Sequence, residues 1–298
     1  MHFADDLMKK VEQSSSIVVG IDPDFSLMPK TLWPASSQPG DVRKSLLDFV
    51  KFLIDAAYDL VPAVKFQSAY FEQFGIAGMT ALADSIAYAK EKELLVILDV
   101  KRGDIGSTSL AYAKAYLVGE TVLSDSLKIQ SDLTVDGMTV NPFLGEDSLL
   151  PFVQSVNQSQ KGLLVLVKTS NPGAYRVMTA KNHGMTVSES IAQLVNQWGK
   201  ESTGASGYNC IGAVVGATLE IEEVIKLRDL MPQTIFLMPG LGAQGGTIDT
   251  VRACFDQEGK GVIVPISRSI TYPCDAEVKN KGYGQAVRGG VLKFINML

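Results

Sequence analysis

Histidine and cysteine are scarce in this chain, with two His and three Cys among 298 residues. His2 lies near the amino terminus and His183 in the stretch TAKNHGMT, so a His-rich metal site cannot be assembled. Cys210, Cys254 and Cys274 are odd in number, far apart and without a CxxC pair. That spacing argues against a disulfide framework and against a cysteine zinc site, and for reduced and mostly buried thiols. Acid–base chemistry therefore falls to Lys, Asp and Glu. Long apolar runs are missing as well, none approaching the roughly 18 residues of a membrane span. The opening MHFADDLMKK is polar and acidic where a secretory signal has a basic start and an apolar stretch, so a cytosolic protein is expected. Lys and Arg number 27 against 32 Asp and Glu, a net charge of −5, and no basic run appears. The electrostatic footprint of a nucleic-acid binder is thus absent, and a small-molecule partner is expected instead.

What the chain does contain is a recurrence of short, β-branched apolar segments separated by longer stretches of helical periodicity. Eight can be read: SIVVGID (16–22), PAVKFQ (62–67), LLVILDV (94–100), LTVDGMTV (133–140), GLLVLVKTS (162–170), CIGAVVGAT (210–218), TIFLMPG (234–240) and GVIVPIS (261–267). Between them lie amphipathic stretches such as DVRKSLLDFVKFLIDAAYDL, MTALADSIAYAKEKE, STSLAYAKAYLVGE, VSESIAQLVNQWGKES and LEIEEVIKLRDLM. Strand–helix repetition with apolar strands predicts a parallel sheet covered by helices. Eight units in this length favour a (β/α)8 TIM barrel over a doubly wound open sheet, as one domain spanning 1–298. No linker divides the chain; TLWPASSQPGD (31–41) and ESTGASGYN (201–209) read as surface loops.

A barrel of this kind forms its site at the C-terminal ends of the strands. Those ends carry an unusual number of charges: Asp22, Lys65, Asp99 with Lys101, Lys168 with Ser170, and Arg268. One such charge is ordinary where a chain emerges into water, but five of eight ends meeting on one rim suggest a binding site. Asp99 and Lys101 are two apart, so on a strand they share a face, with Leu98 and Val100 on the other. Gly103 then supports a turn. Asp104 stands where the next helix begins and is a candidate N-cap as well as a candidate site residue. Lys65, on the preceding strand, is either a snorkelling lysine or a member of the same cluster. Alternating Lys and Asp would hold every member charged by mutual attraction.

The second dense signal is MPGLGAQGGT (238–247), in which Gly240, Gly242 and Gly245 match GxGxxG. A dinucleotide fingerprint is disfavoured, because that motif opens a multi-strand unit whereas this one lies near the end of the chain. A loop whose backbone N–H groups meet a phosphate fits better, since the loops after strands 7 and 8 of such barrels often form a phosphate site. SRSI (267–270) follows the eighth strand and supplies Arg268, a forked donor suited to phosphate.

With these pieces placed, the sequence resembles the orotidine 5′-phosphate decarboxylase family, in its longer bacterial group, over almost the whole chain. The carriers are Asp99, Lys101 and Asp104 as D-x-K-x-x-D, the lysine of VKFQ, and the stretches VGIDPD, TVNPFLGED, KTSNPG, PGLGAQGG and SRSI. The resemblance implies decarboxylation of orotidine 5′-phosphate to uridine 5′-phosphate without metal or cofactor. It implies a Lys-Asp-Lys-Asp array of Lys65, Asp99, Lys101 and Asp104, with Asp99 against the substrate carboxylate and Lys101 as proton donor to C6. Asp22 and Lys65 would contact the ribose hydroxyls, and Ser170 would read the pyrimidine edge. Gln244, Gly245, Gly246 and Arg268 would hold the phosphate. Asp104 and Thr108 would reach into a partner's site, making a homodimer. The eighth strand reads VPISRSI where many relatives have glycine before the arginine.

Other readings remain open at this level. A sugar-phosphate branch of the same barrel superfamily shares D-x-K-x-x-D but uses magnesium and an acidic residue at the end of the second strand, where this chain has Lys65. Lys168 in LVLVKTSN resembles the Schiff-base lysine of deoxyribose-phosphate aldolases. A catalytically silent sugar-phosphate-binding barrel is a third reading, which the full charge array disfavours, because mere binding needs no ammonium set between carboxylates.

Overall fold

The computed structural model describes residues 2–242 and 244–298. Eight parallel strands form a closed ring: β1 (Ile17–Ile21), β2 (Ala63–Gln67), β3 (Leu95–Arg102), β4 (Gly137–Val140), β5 (Gly162–Lys168), β6 (Asn209–Val215), β7 (Thr234–Leu237) and β8 (Val262–Ile266). Each pairs with its neighbours in chain order, and β8 pairs back to β1 through Ile17↔Val264, Val18↔Pro265 and Val19↔Ile266. The (β/α)8 expectation is met. The strands are buried along nearly their whole length, as a sheet covered on one side by helices and filled on the other requires.

The helices that clothe the ring follow from the apolar spacing. Helix α1 (Phe3–Gln13) buries Phe3, Ala4, Leu7, Met8 and Val11 along one stripe. It closes the N-terminal mouth of the barrel, where the Phe3 ring lies over Gly137 and Gly162, the first residues of β4 and β5. A Cβ on Gly162 would stand 2.5 Å from that ring. Asp5 fixes the other side by accepting from the Ala205 and Ser206 N–H groups. Helices α2 (Pro39–Ala57) and α3 (Gly75–Glu91) pack on each other outside β1 to β3, followed by α4 (Gly106–Ala113), α5 (Glu146–Ser159), α6 (Val187–Gly199), α7 (Ile221–Leu230) and α8 (Tyr283–Met297). With one mouth sealed, only the C-terminal end is open for a site.

Three segments differ from the sequence expectation. The helical stretch read over 107–120 ends as an α-helix at Ala113, loosens into a π-type turn over Lys114–Val118 and stops at Gly119, φ +76°. An antiparallel hairpin, Glu120–Ser124 with Leu127–Gln130, follows and leaves Val122, Leu123, Leu127 and Ile129 more than half exposed. The fourth strand begins at Gly137 rather than 133, because Asp136 turns the chain: its carboxylate accepts from Val96 N–H at 2.9 Å and from Lys161 at 2.8 Å. The stretch after β5 is not plain loop. It carries a short helix, Ala174–Met178, and a two-residue ladder, Lys181–Asn182 with Met185–Thr186, that leads into the capping box of α6.

Candidate active site

A cavity of about 790 Å³ opens at the C-terminal end of the ring, and its lining draws on the ends of β1 to β8. Its floor is charged. The β2–β3 register sets Gln67 opposite Asp99, and the period-two alternation puts Lys65 and Gln67 on one face. All converge on the Asp99 carboxylate, which is 8% exposed. Oδ2 accepts from Lys65 Nζ at 3.1 Å and Gln67 Nε2 at 3.0 Å; Oδ1 accepts from Lys101 Nζ at 2.6 Å and the Thr139 hydroxyl at 2.8 Å. A carboxylate has about four lone-pair positions, so Asp99 is saturated and presents charge rather than acceptor capacity to anything that enters.

Burial alone would raise the Asp99 pKa, but the ammonium groups of Lys65 and Lys101, with the Lys101 and Thr139 hydrogen bonds, overcome it and hold the carboxyl far below the usual carboxylate range. Lys65 shows the mirror effect. Desolvation would lower it, yet the charges of Asp99 and Asp22 and the bond to Asp99 raise it above the ordinary lysine value. Asp22 sits at the end of β1 on the cavity wall, with Oδ1 buried and without a hydrogen-bond partner among the described residues. An orphaned carboxylate oxygen of this kind is an acceptor waiting for a donor.

Lys101 occupies φ +44°, the left-handed region, which costs a side-chain-bearing residue on the order of 1–3 kcal/mol unless neighbours hold it there. The strand register also breaks between Leu98 and Arg102. The bulge turns the Lys101 side chain, 44% exposed, over the cavity while its tip stays on Asp99.

Across the cavity lie Ser170, Gln244 and Arg268, all lining it. The Ser170 hydroxyl donates to Gln244 Oε1 at 2.9 Å, joining the loop after β5 to the glycine-rich loop after β7. That loop turns through Gly240, Gly242 and Gly245, with φ of +112°, +90° and +83°. Arg268, exposed at the end of β8, makes no ion pair with a described carboxylate. The wall between is apolar, formed by Leu166, Val214, Leu237 and Pro265 among others. The cavity thus has a doubly cationic floor around one anion, a free guanidinium at the far rim, and a flat apolar wall.

Several expected residues stand elsewhere. Asp104 does not join the floor cluster within this chain, nor does it cap α4: its Oδ1 accepts only from Ile105 N–H at 2.8 Å, and the helix begins at Gly106 without a side-chain cap. Thr108 is exposed on the first turn of α4, outside the cavity. The Gly245 and Gly246 N–H groups donate within their own loop, to Gly242 O at 3.1 Å and Gly240 O at 2.9 Å. The Schiff-base reading is not supported, because Lys168 is buried away from the cavity with its ammonium on Glu223 Oε1 of α7 at 2.6 Å. The sequence reading missed Gln67, Tyr70 and Thr139, which line the cavity. Gln67 was legible by alternation from Lys65, and Thr139 as the polar interruption of the apolar run ending β4.

These features define a class: a (β/α)8 barrel with a cavity at the C-terminal ends of its strands, in which a Lys/Asp/Lys floor faces a rim arginine. The comparisons with known proteins narrow it. A sequence model described as the orotidine 5′-phosphate decarboxylase / HUMPS family matches residues 17–281, and the chain belongs to that family. An orotidine 5′-phosphate decarboxylase of Rhodopirellula baltica is 42% identical over 275 residues, 91% of this chain and 89% of the relative. One from Clostridium perfringens is 37% identical over 286 residues, 96% and 94% of the two chains. Among solved structures, Leishmania donovani OMP decarboxylase superposes with a TM-score of 0.74 at 26% identity over 99% of this chain and 98% of that one. The Plasmodium berghei enzyme superposes with a TM-score of 0.77 at 16% identity, covering 99% and 98%, and speaks for the fold alone.

Proposed function

We propose that this protein decarboxylates orotidine 5′-phosphate to uridine 5′-phosphate. The observation that carries the reading is Asp99, ionised and saturated between Lys65 and Lys101 on the cavity floor. Arg268 anchors the phosphate, with Gln244 beside it; the engaged amides of Gly245 and Gly246 would have to leave their loop bonds to assist. The apolar wall takes the pyrimidine face, Ser170 and Gln244 its polar edge, and Asp22 with Lys65 the ribose hydroxyls. This docking sets the C6 carboxylate against Asp99. Phosphate binding offsets the repulsion between the two anions, which is relieved as carbon dioxide departs. The C6–carboxylate bond breaks, its electron pair stays on C6, and the Lys101 ammonium stabilises that charge before transferring one proton to C6. Lys101 then regains a proton from water. No step calls on a metal or cofactor, and the Lys65 ammonium occupies the place where the magnesium-dependent reading needs an acidic ligand.

We further propose a homodimer in which Asp104 and Thr108 complete the neighbour's site. Neither lines its own cavity, and the same stretch of chain exposes the apolar side chains Ile105 and Leu110. The exposed thiol of Cys274 suits a reducing cytosol. The reading is tested by incubating the protein with orotidine 5′-phosphate in deuterium oxide with a chelator and following the nucleotide by NMR. Uridine 5′-phosphate carrying deuterium at C6 is expected. Unchanged substrate, or turnover abolished by the chelator, overturns the reading.

A further inference from the structure

One hydroxyl ties the proton-donating lysine to its carboxylate twice over. The Lys101 backbone N–H donates to Thr139 Oγ1 at 2.9 Å, and the Thr139 hydroxyl donates to Asp99 Oδ1 at 2.8 Å. That same oxygen accepts from Lys101 Nζ at 2.6 Å. The three bonds close a ring that begins and ends on Lys101. A hydroxyl has a single proton, and a backbone N–H can only donate, so the direction of every bond in the ring is determined. Thr139 is 1% exposed near the end of β4, between Met138 and Val140, and its β-branched side chain has little rotameric freedom there.

We infer that Thr139 is a positioning residue for the reaction. It accepts the N–H that the left-handed backbone of Lys101 presents at φ +44°, and it keeps Asp99 Oδ1 turned toward the Lys101 ammonium. Without it the lysine backbone has no partner for its N–H, the bulge relaxes, and the ammonium no longer points from Asp99 toward the substrate carbon. The side chain acts through Lys101 and Asp99, so its loss falls on the chemical step rather than on nucleotide binding. A space-filling role at the end of β4 would make a different demand, for volume rather than for a hydroxyl.

The kinetic test rests on the decarboxylase reading, so wild-type turnover is measured first and the variants are compared with it. Thr139→Val keeps the shape and removes both bonds; Thr139→Ser restores the hydroxyl. Thr139→Val is expected to lower kcat by about 10- to 100-fold, the scale of a lost hydrogen bond to a charged group, with KM within about threefold of wild type. Thr139→Ser is expected to recover kcat to within about fivefold. Should the valine protein not fold, Thr139→Cys replaces it as the variant with a weak donor. A valine kcat within threefold of wild type, or a serine variant as impaired as valine, overturns the inference. If the wild-type protein proves inactive on orotidine 5′-phosphate, the crystal structure of Thr139→Val decides instead. Lys101 outside the left-handed region, or its ammonium beyond about 3.5 Å from Asp99, supports the inference, and an unchanged Lys101 overturns it.

Discussion

Asp99 and Lys101 divide the labour at the scale of single residues. The carboxylate is held charged by two ammonium groups, so in the proposed reaction the electrostatic cost of a substrate anion beside it would be set before binding. The Lys101 ammonium needs no reorganisation to meet charge developing on a neighbouring carbon. Lys101→Ala is therefore expected to lower kcat by about 10³-fold or more, at or beyond the usual scale of general-acid catalysis, while uridine 5′-phosphate still binds, as isothermal titration would read. Arg268→Ala is expected to act the other way, raising KM by about 10- to 100-fold through the loss of a charged contact, with a smaller change in kcat. The strand period of two pointed to Asp99 and Lys101 as a pair, but what turns Lys101 over the cavity is a left-handed bulge that the string does not show. Asp104 was not assignable from the same string: three residues further on, a turn decides direction, and the structure shows neither the helix cap nor a place in the floor cluster.

At the scale of elements, the site depends on how the loops after β7 and β8 are folded. Gly246 marks the tightest point, where a Cβ would meet Gly240 O at 2.7 Å and Ala217 O at 2.9 Å, both backbone atoms that cannot swing aside. Gly246→Ala is expected to open this loop and raise KM for the nucleotide by about tenfold, with the Lys101 floor and hence kcat less affected. A fall in kcat at unchanged KM, read from steady-state kinetics, would contradict that division. The glycine pattern pointed to this loop, but which amides are free inside it depends on cross-loop bonds between Gly245 and Gly242 and between Gly246 and Gly240. The hairpin Glu120–Ser124 with Leu127–Gln130 was not legible, because AYLVGETVLS has apolar residues at spacings that serve a helix and a strand equally well. Its exposed apolar residues and the position of Asp104 outside its own cavity bear on the proposed dimer. Mixing the Lys101→Ala and Asp104→Ala proteins is expected to restore turnover toward roughly one quarter of the sites, since each mixed dimer then holds one intact Lys101 with one intact Asp104. No recovery after subunit exchange would contradict sharing.

Over the whole molecule, the ring of eight strands was legible because both faces are buried and each strand is a short, mainly apolar segment. The closing of its lower mouth by α1 was not, since an amphipathic helix at a terminus does not state what it covers. The seal leaves one open end, and there the buried charges couple the site to stability. Asp99 has a depressed pKa, so its contribution is present above the ordinary carboxylate value of about 4 and is lost as pH falls below it. Lys65 has a raised pKa, so its contribution is present below about 10.4 and is lost as pH rises past that value. The denaturation midpoint attributable to this pair is expected to be flat between these limits. Asp99→Asn is expected to lower stability at neutral pH by about 3–5 kcal/mol, because Lys65 is left buried without its ion-paired carboxylate, with only the more distant Asp22 charge remaining. An unchanged urea midpoint for that variant would contradict the account.

The central claim is that a Lys101 ammonium set against a saturated Asp99 decarboxylates orotidine 5′-phosphate. It is tested most directly by following ultraviolet absorbance of that nucleotide with wild-type and Lys101→Ala protein side by side, in chelator. The account predicts a steady loss of absorbance with the wild type and none with the variant. A flat trace with the wild type, or near-normal turnover by Lys101→Ala, would contradict it.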